Sequence, residues 1–154
     1  MKSNKLLPIF KHLTSVKSIQ SGAIFSRDWA PLHSNQDWAI NKGNLPNIIM
    51  NNYTLNGLLI KYVTDIYGPS TRIGKVSFSI KKPICPDYLI EFHGNLENEK
   101  PINDDLSLLT INIDIKVFDQ TFSSAKVVAG VNSTENEKNS PWNIGTDIWK
   151  SYLE

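Results

Sequence analysis

The stretch Arg27-Asp28-Trp29-Ala30-Pro31-Leu32-His33 sets a carboxylate and an imidazole with four residues between them, one a proline. A turn at Pro31 lets the side chains of Asp28 and His33 point at one spot, where the two can hold a water. An imidazole titrates near ~6.5 when unperturbed, so it can accept or return a proton around neutrality. That pairing suits general acid/base chemistry. The same D-x4-H spacing also suits a structural hydrogen bond, and the residue types alone leave both readings open.

The other chemistry-bearing side chains have weaker settings. His12 and His93 have no acidic neighbour at a useful spacing, and both read as solvated structural histidines. Cys85 is the single cysteine, which excludes a disulfide framework and a cysteine zinc site. With prolines at 83 and 86 and no base placed for it, Cys85 reads as a small packed residue. No metal site is expected.

The elements that must position Asp28 and His33 divide by type along the chain. Thr14 or Ser15 can cap a helix over Val16 to Ser26, and Asn35 can cap a brief helix ending near Gly43. The strongest helix runs from Asn52 to Tyr67: Leu55, Leu58, Leu59, Tyr62, Val63 and Ile66 form one apolar stripe, and Gly68-Pro69 ends it. Ile60 lies off the stripe, which predicts enclosure on more than one side, and Gly57 predicts close backbone packing. Strands follow over Lys75–Lys81, Tyr88–His93, Leu109–Val117 and Ala125–Ala129, with a turn at Asp119-Gln120. Leu96 to Asp105 is polar, carries Pro101 and reads as a loop, and a weak first strand near Leu7 to Leu13 completes the sheet. Helices first and strands second predict an α+β fold, with a sheet wrapped around the one long helix. After residue 130, Ser133 to Ser140 reads as a polar linker, and Thr146 can cap a last turn carrying Ile148, Trp149, Tyr152 and Leu153. Those aromatics can pack on their own domain or on a partner.

A chain of 154 residues with 40% apolar and 20% charged residues fits one globular domain, residues 1–130, with a tail over 131–154. Sixteen basic against fifteen acidic residues leave a charge of +1, which argues against a nucleic-acid or membrane-surface protein and favours a small-molecule or protein partner. The run Leu6–Phe10 is too short for a signal-peptide core and is interrupted by Pro8, and no stretch approaches a membrane span, so a cytoplasmic protein is expected.

The run D-x-x-P-L-H-x-N-x-D-W-A from Asp28 to Ala39 resembles the hydratase motif of the MaoC-like family, the (R)-specific enoyl-CoA hydratases and related acyl dehydratases. Asn51 to Pro69 is similar to the central helix of these hot-dog proteins, and Tyr62 to Pro69, Y-V-T-D-x-x-G-P, is similar to small subunits acting on steroid side-chain thioesters. The resemblance covers about Leu7 to Gly130. It implies a hot-dog fold and hydration of trans-2-enoyl-CoA thioesters by an Asp28–His33 dyad, with no metal or redox cofactor. It also implies an oxyanion-binding backbone N–H near Asn51 or Asn52, where many relatives have glycine, and a homodimer or a heteromer with another hot-dog subunit. Asn35 stands where the family has an acidic residue, and Pro86-Asp87-Tyr88 where it has Pro-Gly-Asp. Arg72, Lys75, Lys81 and Lys82 are candidates to meet the phosphates of coenzyme A, or else are solvated on a strand face. Two alternatives remain open: a non-catalytic acyl-CoA-binding subunit, and a hot-dog thioesterase. The thioesterase normally needs a carboxylate early in the central helix, whereas Asp65 lies near its far end.

Overall fold

A computed structural model of the chain describes residues 2–132 and 139–154. Its elements are β1 (Lys2–Leu6), β2 (Phe10–Leu13), α1 (Val16–Phe25), α2 (Gln36–Asn41), α3 (Asn52–Tyr67), β3 (Arg72–Ile80), β4 (Leu89–Pro101), β5 (Leu106–Val117), β6 (Gln120–Asn132) and α4 (Thr146–Ser151). The strands form one antiparallel sheet in the order β1-β4-β5-β6-β3, with β2 beside β1 on the same edge of β4. The fold is α+β, a hot dog: the sheet curls around α3.

The period of two in β5 explains the wrapping. Ile111, Ile113, Ile115 and Val117 are buried toward the helix, while Asn112, Asp114 and Lys116 are turned to the other face. From the helix side, Leu55, Leu59, Tyr62 and Val63 are fully buried against them. Asn51 caps α3 by accepting the Thr54 N–H at 3.0 Å, and Gly68, in the left-handed region at φ 90°, ends it. Ser15 forms a capping box with Ser18 at the start of α1, and Asn35 accepts the Trp38 N–H at 2.9 Å to start α2.

Four readings of the sequence need correction. Residues 96–101 are strand rather than loop, because β4 is paired on both sides there: Leu96 and Asn98 face β1, and Leu96 through Pro101 face β5. The first strand is split by Leu7-Pro8-Ile9, where the Pro8 carbonyl turns to accept the Tyr62 hydroxyl at 2.8 Å. The turn between β5 and β6 is Phe118-Asp119, both at positive φ, which suits the twist of a two-residue hairpin. Gly57 packs against nothing: a Cβ there would meet no atom within 4 Å, and α3 keeps an open side along Tyr53, Gly57, Lys61 and Asp65. The close approach of backbone is instead at Gly22 on α1, where a Cβ would collide with the Thr54 side chain.

The tail folds back on its own domain. α4 starts at Thr146, with Gly145 and not Thr146 at the capping position, and its Trp149 lies buried on the sheet face opposite α3. Most of the polar linker, 133–138, lies outside the described residues.

Candidate active site

Asp28 owes its position to the way α1 ends. The Asp28 N–H bonds the Ala23 carbonyl at 2.9 Å and the Arg27 N–H bonds that of Ile24 at 3.1 Å, with Arg27 in the left-handed region at φ 56°. This is a Schellman closure with arginine where glycine is usual. Arg27→Gly is therefore expected to stabilise the fold by about 0.5–1 kcal/mol through relief of the left-handed strain. That corresponds to a rise of roughly 2 °C in a thermal melt, since ~1 kcal/mol moves a domain of this size by about 2–4 °C. A lower melting point would show that the arginine side chain contributes more than its backbone costs.

His33 comes from the next turn. Pro31 opens a single 3-10 turn through His33 that turns the imidazole inward, leaving the residue 7% exposed. Its Nδ1 lies 2.7 Å from the Ile49 carbonyl, which can only accept, so Nδ1 carries a hydrogen. Nε2 therefore faces Asp28 Oδ2, at 3.2 Å. A proton on Nε2 would make that contact a hydrogen bond from ring to carboxylate. The second carboxylate oxygen, Oδ1, makes a long 3.4 Å contact with the Ala30 N–H and is otherwise available.

His33 opens on an apolar cavity of about 310 Å³ lined by Leu32, Met50, Leu55, Ile80 and Ile84, with Asn52 on its wall. Asn52 begins α3, and the first N–H groups of a helix have no partner inside it, so the end carries partial positive charge. A larger open groove of about 580 Å³ runs between α1 and α3 past Phe25, Tyr53 and Gly57, but neither Asp28 nor His33 lines it. Of the pair, His33 lines the smaller cavity and Asp28 lines neither.

The basic candidates divide. Lys81 and Lys82 stand between Ile80 and Pro83, both of which line the cavity. Lys81 Nζ bonds Ser124 Oγ at 3.2 Å, and Lys82 Nζ bonds Gln120 Oε1 at 2.7 Å. Lys75 is exposed on β3, five residues before Ile80 and hence roughly 16 Å along the strand. Arg72 lies at the far end of β3 from this cavity. It starts the strand eight residues from Ile80, roughly 26 Å away at ~3.3 Å per residue. Its guanidinium is engaged by the tail, donating to the Pro141 carbonyl at 3.1 Å and the Ile144 carbonyl at 2.8 Å between the rings of Trp142 and Trp149.

His93 also departs from its reading. It does have an acidic neighbour, Glu91 on the same strand face, with Nε2 to Oε2 at 3.0 Å. Lys11 meets the other oxygen at 2.6 Å, and the Lys11 ammonium and His93 ring hold the Glu91 carboxyl below its usual range. This cluster sits on β4 and β2, away from Asp28. Cys85 is 3% exposed and burial pushes its thiol up, which suits packing rather than attack. Asp65 pairs with Lys61 at 2.5 Å on the exposed side of α3, far from the cavity.

No protein-family model matches the chain. It is 30% identical over 108 residues, 70% of its own length and 79% of the other's, to the 3-oxo-4,17-pregnadiene-20-carboxyl-CoA hydratase beta subunit of Mycobacterium tuberculosis. The chain belongs to the MaoC-like hydratase and dehydratase family. The ChsH1-ChsH2 complex from Mycobacterium tuberculosis superposes with a TM-score of 0.73 at 26% identity, covering 84% of this chain and 97% of that one. The (R)-hydratase from A. caviae involved in PHA biosynthesis shares the fold at a TM-score of 0.69 and 15% identity, with 84% and 96% covered. In this MaoC-like chain, the side chain of Asn51 is the feature that spacing did not reveal. The sequence directs attention to its backbone N–H, whereas its amide reaches Asp28 Oδ2 at 3.2 Å. The one available signal was an asparagine at the start of the long helix.

Proposed function

We propose that the chain adds water to trans-2-enoyl-CoA thioesters, or removes it from the 3-hydroxyacyl thioesters, with Asp28 and His33 as the acid/base pair. The observation that supports this most is His33 Nε2 at 3.2 Å from Asp28 Oδ2, with His33 lining an apolar cavity of about 310 Å³. A water held by the pair gives up a proton as its oxygen bonds to Cβ. The electrons of the double bond pass toward the thioester oxygen, and the proton already shared by Asp28 and His33 goes to Cα. The pair ends with the proton it took from water, so its charge is restored. Charge building on the thioester oxygen is met by backbone N–H donors at the start of α3, near Asn51 and Asn52, where the helix dipole favours it. Lys81 and Lys82, and Lys75 further along β3, are the candidates for the phosphates of coenzyme A. Coenzyme A enters as part of the substrate, and the step draws on no metal or redox group.

The relative is a beta subunit, and the ChsH1-ChsH2 structure is a complex of two proteins. We propose likewise that this chain works with a second hot-dog subunit and contributes the dyad. The test follows the ultraviolet absorbance of the conjugated thioester with one short and one bulky enoyl-CoA. Loss of absorbance without release of free coenzyme A is expected. Release of free thiol would point to a thioesterase, and no change on either substrate, with or without the partner, would leave an acyl-CoA-binding subunit.

A further inference from the structure

The start of α3 holds a polar side chain that is 1% exposed and uses every hydrogen-bonding position it has. Asn51 Oδ1 accepts from the Thr54 N–H at 3.0 Å and from Thr54 Oγ1 at 2.6 Å. Asn51 Nδ2 donates to Ser26 Oγ at 2.8 Å and to Asp28 Oδ2 at 3.2 Å. The Ser26 hydroxyl spends its own hydrogen on the carbonyls of Gly22, at 2.8 Å, and Ala23, at 3.2 Å, so toward Asn51 it can only accept. These partners fix which way the amide points. Reversed, it would set its NH₂ against the Thr54 N–H and its oxygen against a carboxylate, losing a bond at each end.

We infer that Asn51 is a positioning residue for the acid/base pair: its side-chain amide, clamped by the cap of α3 and by the end of α1, holds Asp28 Oδ2 against His33 Nε2. The inference rests on the pair having the role proposed above. Among the described residues, Asp28 Oδ2 is met by the Asn51 amide and the His33 ring. His33 is the one ionisable group in recorded contact with Asp28 among the described residues. With Oδ2 held by both, Oδ1 is the oxygen left to meet a water. A capping asparagine whose only task was to start the helix would need its oxygen alone. The donor end would then be free to face solvent rather than a partly buried carboxylate.

Asn51→Asp separates the two tasks. Aspartate caps a helix as well as asparagine does, so α3 keeps its start. The donor facing Asp28 becomes a second carboxylate, which favours protonation of Asp28 and of His33. The titration of the His33 ring, followed by NMR in the unliganded chain, is expected to move to higher pH. In the enoyl-CoA assay kcat should fall by about 10- to 100-fold, with the acid limb of the pH profile moving the same way. The NMR readout needs no turnover, so it decides the positioning role even if the hydratase reading fails. A His33 titration that does not move in Asn51→Asp would overturn the inference. If that variant does not fold, Ser26→Ala takes its place: it leaves the α3 cap intact and loosens the amide, while also giving up the hydroxyl's bonds to the Gly22 and Ala23 carbonyls. Its His33 titration must shift in the same direction, and an unshifted curve overturns the inference equally.

Discussion

Replacing Asp28 with asparagine is expected to slow hydration of an enoyl-CoA thioester by roughly 10²–10⁴-fold, the range associated with a positioned acid or base. The substitution is isosteric, so packing around the Schellman turn is retained. What changes is the chemistry of two oxygens. Oδ2 now receives the Asn51 amide and faces His33 Nε2 at 3.2 Å. An amide can satisfy those neighbours only by presenting its oxygen, which leaves its NH₂ where Oδ1 would meet a water. A donor cannot take the proton that water must lose. His33→Ala should cost a similar factor, because it removes the ring that shares the proton and frees the Ile49 carbonyl it engages at 2.7 Å. Both variants should show the native circular dichroism spectrum, and the expected loss is in kcat rather than in substrate binding. Wild-type rates in either variant would remove the mechanism and leave the family and the fold standing.

The pairing of Asp28 with His33 was legible in the sequence because the turn that joins them is local. Asp28 and His33 are separated by a single proline turn, and Asn35 closes that turn with the next helix cap. The long helix and β5 were legible for a similar reason, since burial on one face writes a period into the chain. What stayed hidden depends on pairing across distance. β4 carries polar residues where it runs past Leu96, and they make a strand only because β1 and β5 hydrogen-bond it from both sides. Gly57 was given a packing role that belongs to Gly22, because a glycine's neighbours lie on another element. Arg72 read as a free cation, and the groups that hold it are 69 and 72 residues further on. Asn51 was visible as a cap, but its amide's contact with a carboxylate 23 residues earlier was not.

Trp149→Ala is the substitution outside the site with the largest expected effect, a loss of about 3 kcal/mol, at the low end for a buried tryptophan truncated to alanine. Three interactions converge on this ring. It is 5% exposed, and it lies so close over Gly130 that a Cβ there would come within 2.7 Å of it. It also stacks on the Arg72 guanidinium at 4.6 Å. Arg72 in turn holds the carbonyls of Pro141 and Ile144, so losing the ring loosens the segment that leads into α4. α4 has only six residues, too few for a helix to persist in water by its own hydrogen bonds. A drop of roughly 6–12 °C in melting temperature is expected at ~2–4 °C per kcal/mol. The pocket should not notice. Arg72 and Gly130 face each other across β3 and β6 on the sheet face opposite α3, whereas the cavity meets β3 at Ile80, the other end of the strand. At a temperature where the variant is still folded, kcat and KM for the enoyl thioester should therefore stay within about twofold of wild type. Arg72→Gln should behave the same way, losing stability and keeping KM. A KM that rises tenfold in Arg72→Gln while kcat holds would return Arg72 to the substrate. The tail would then be a contact made only while the thioester is absent.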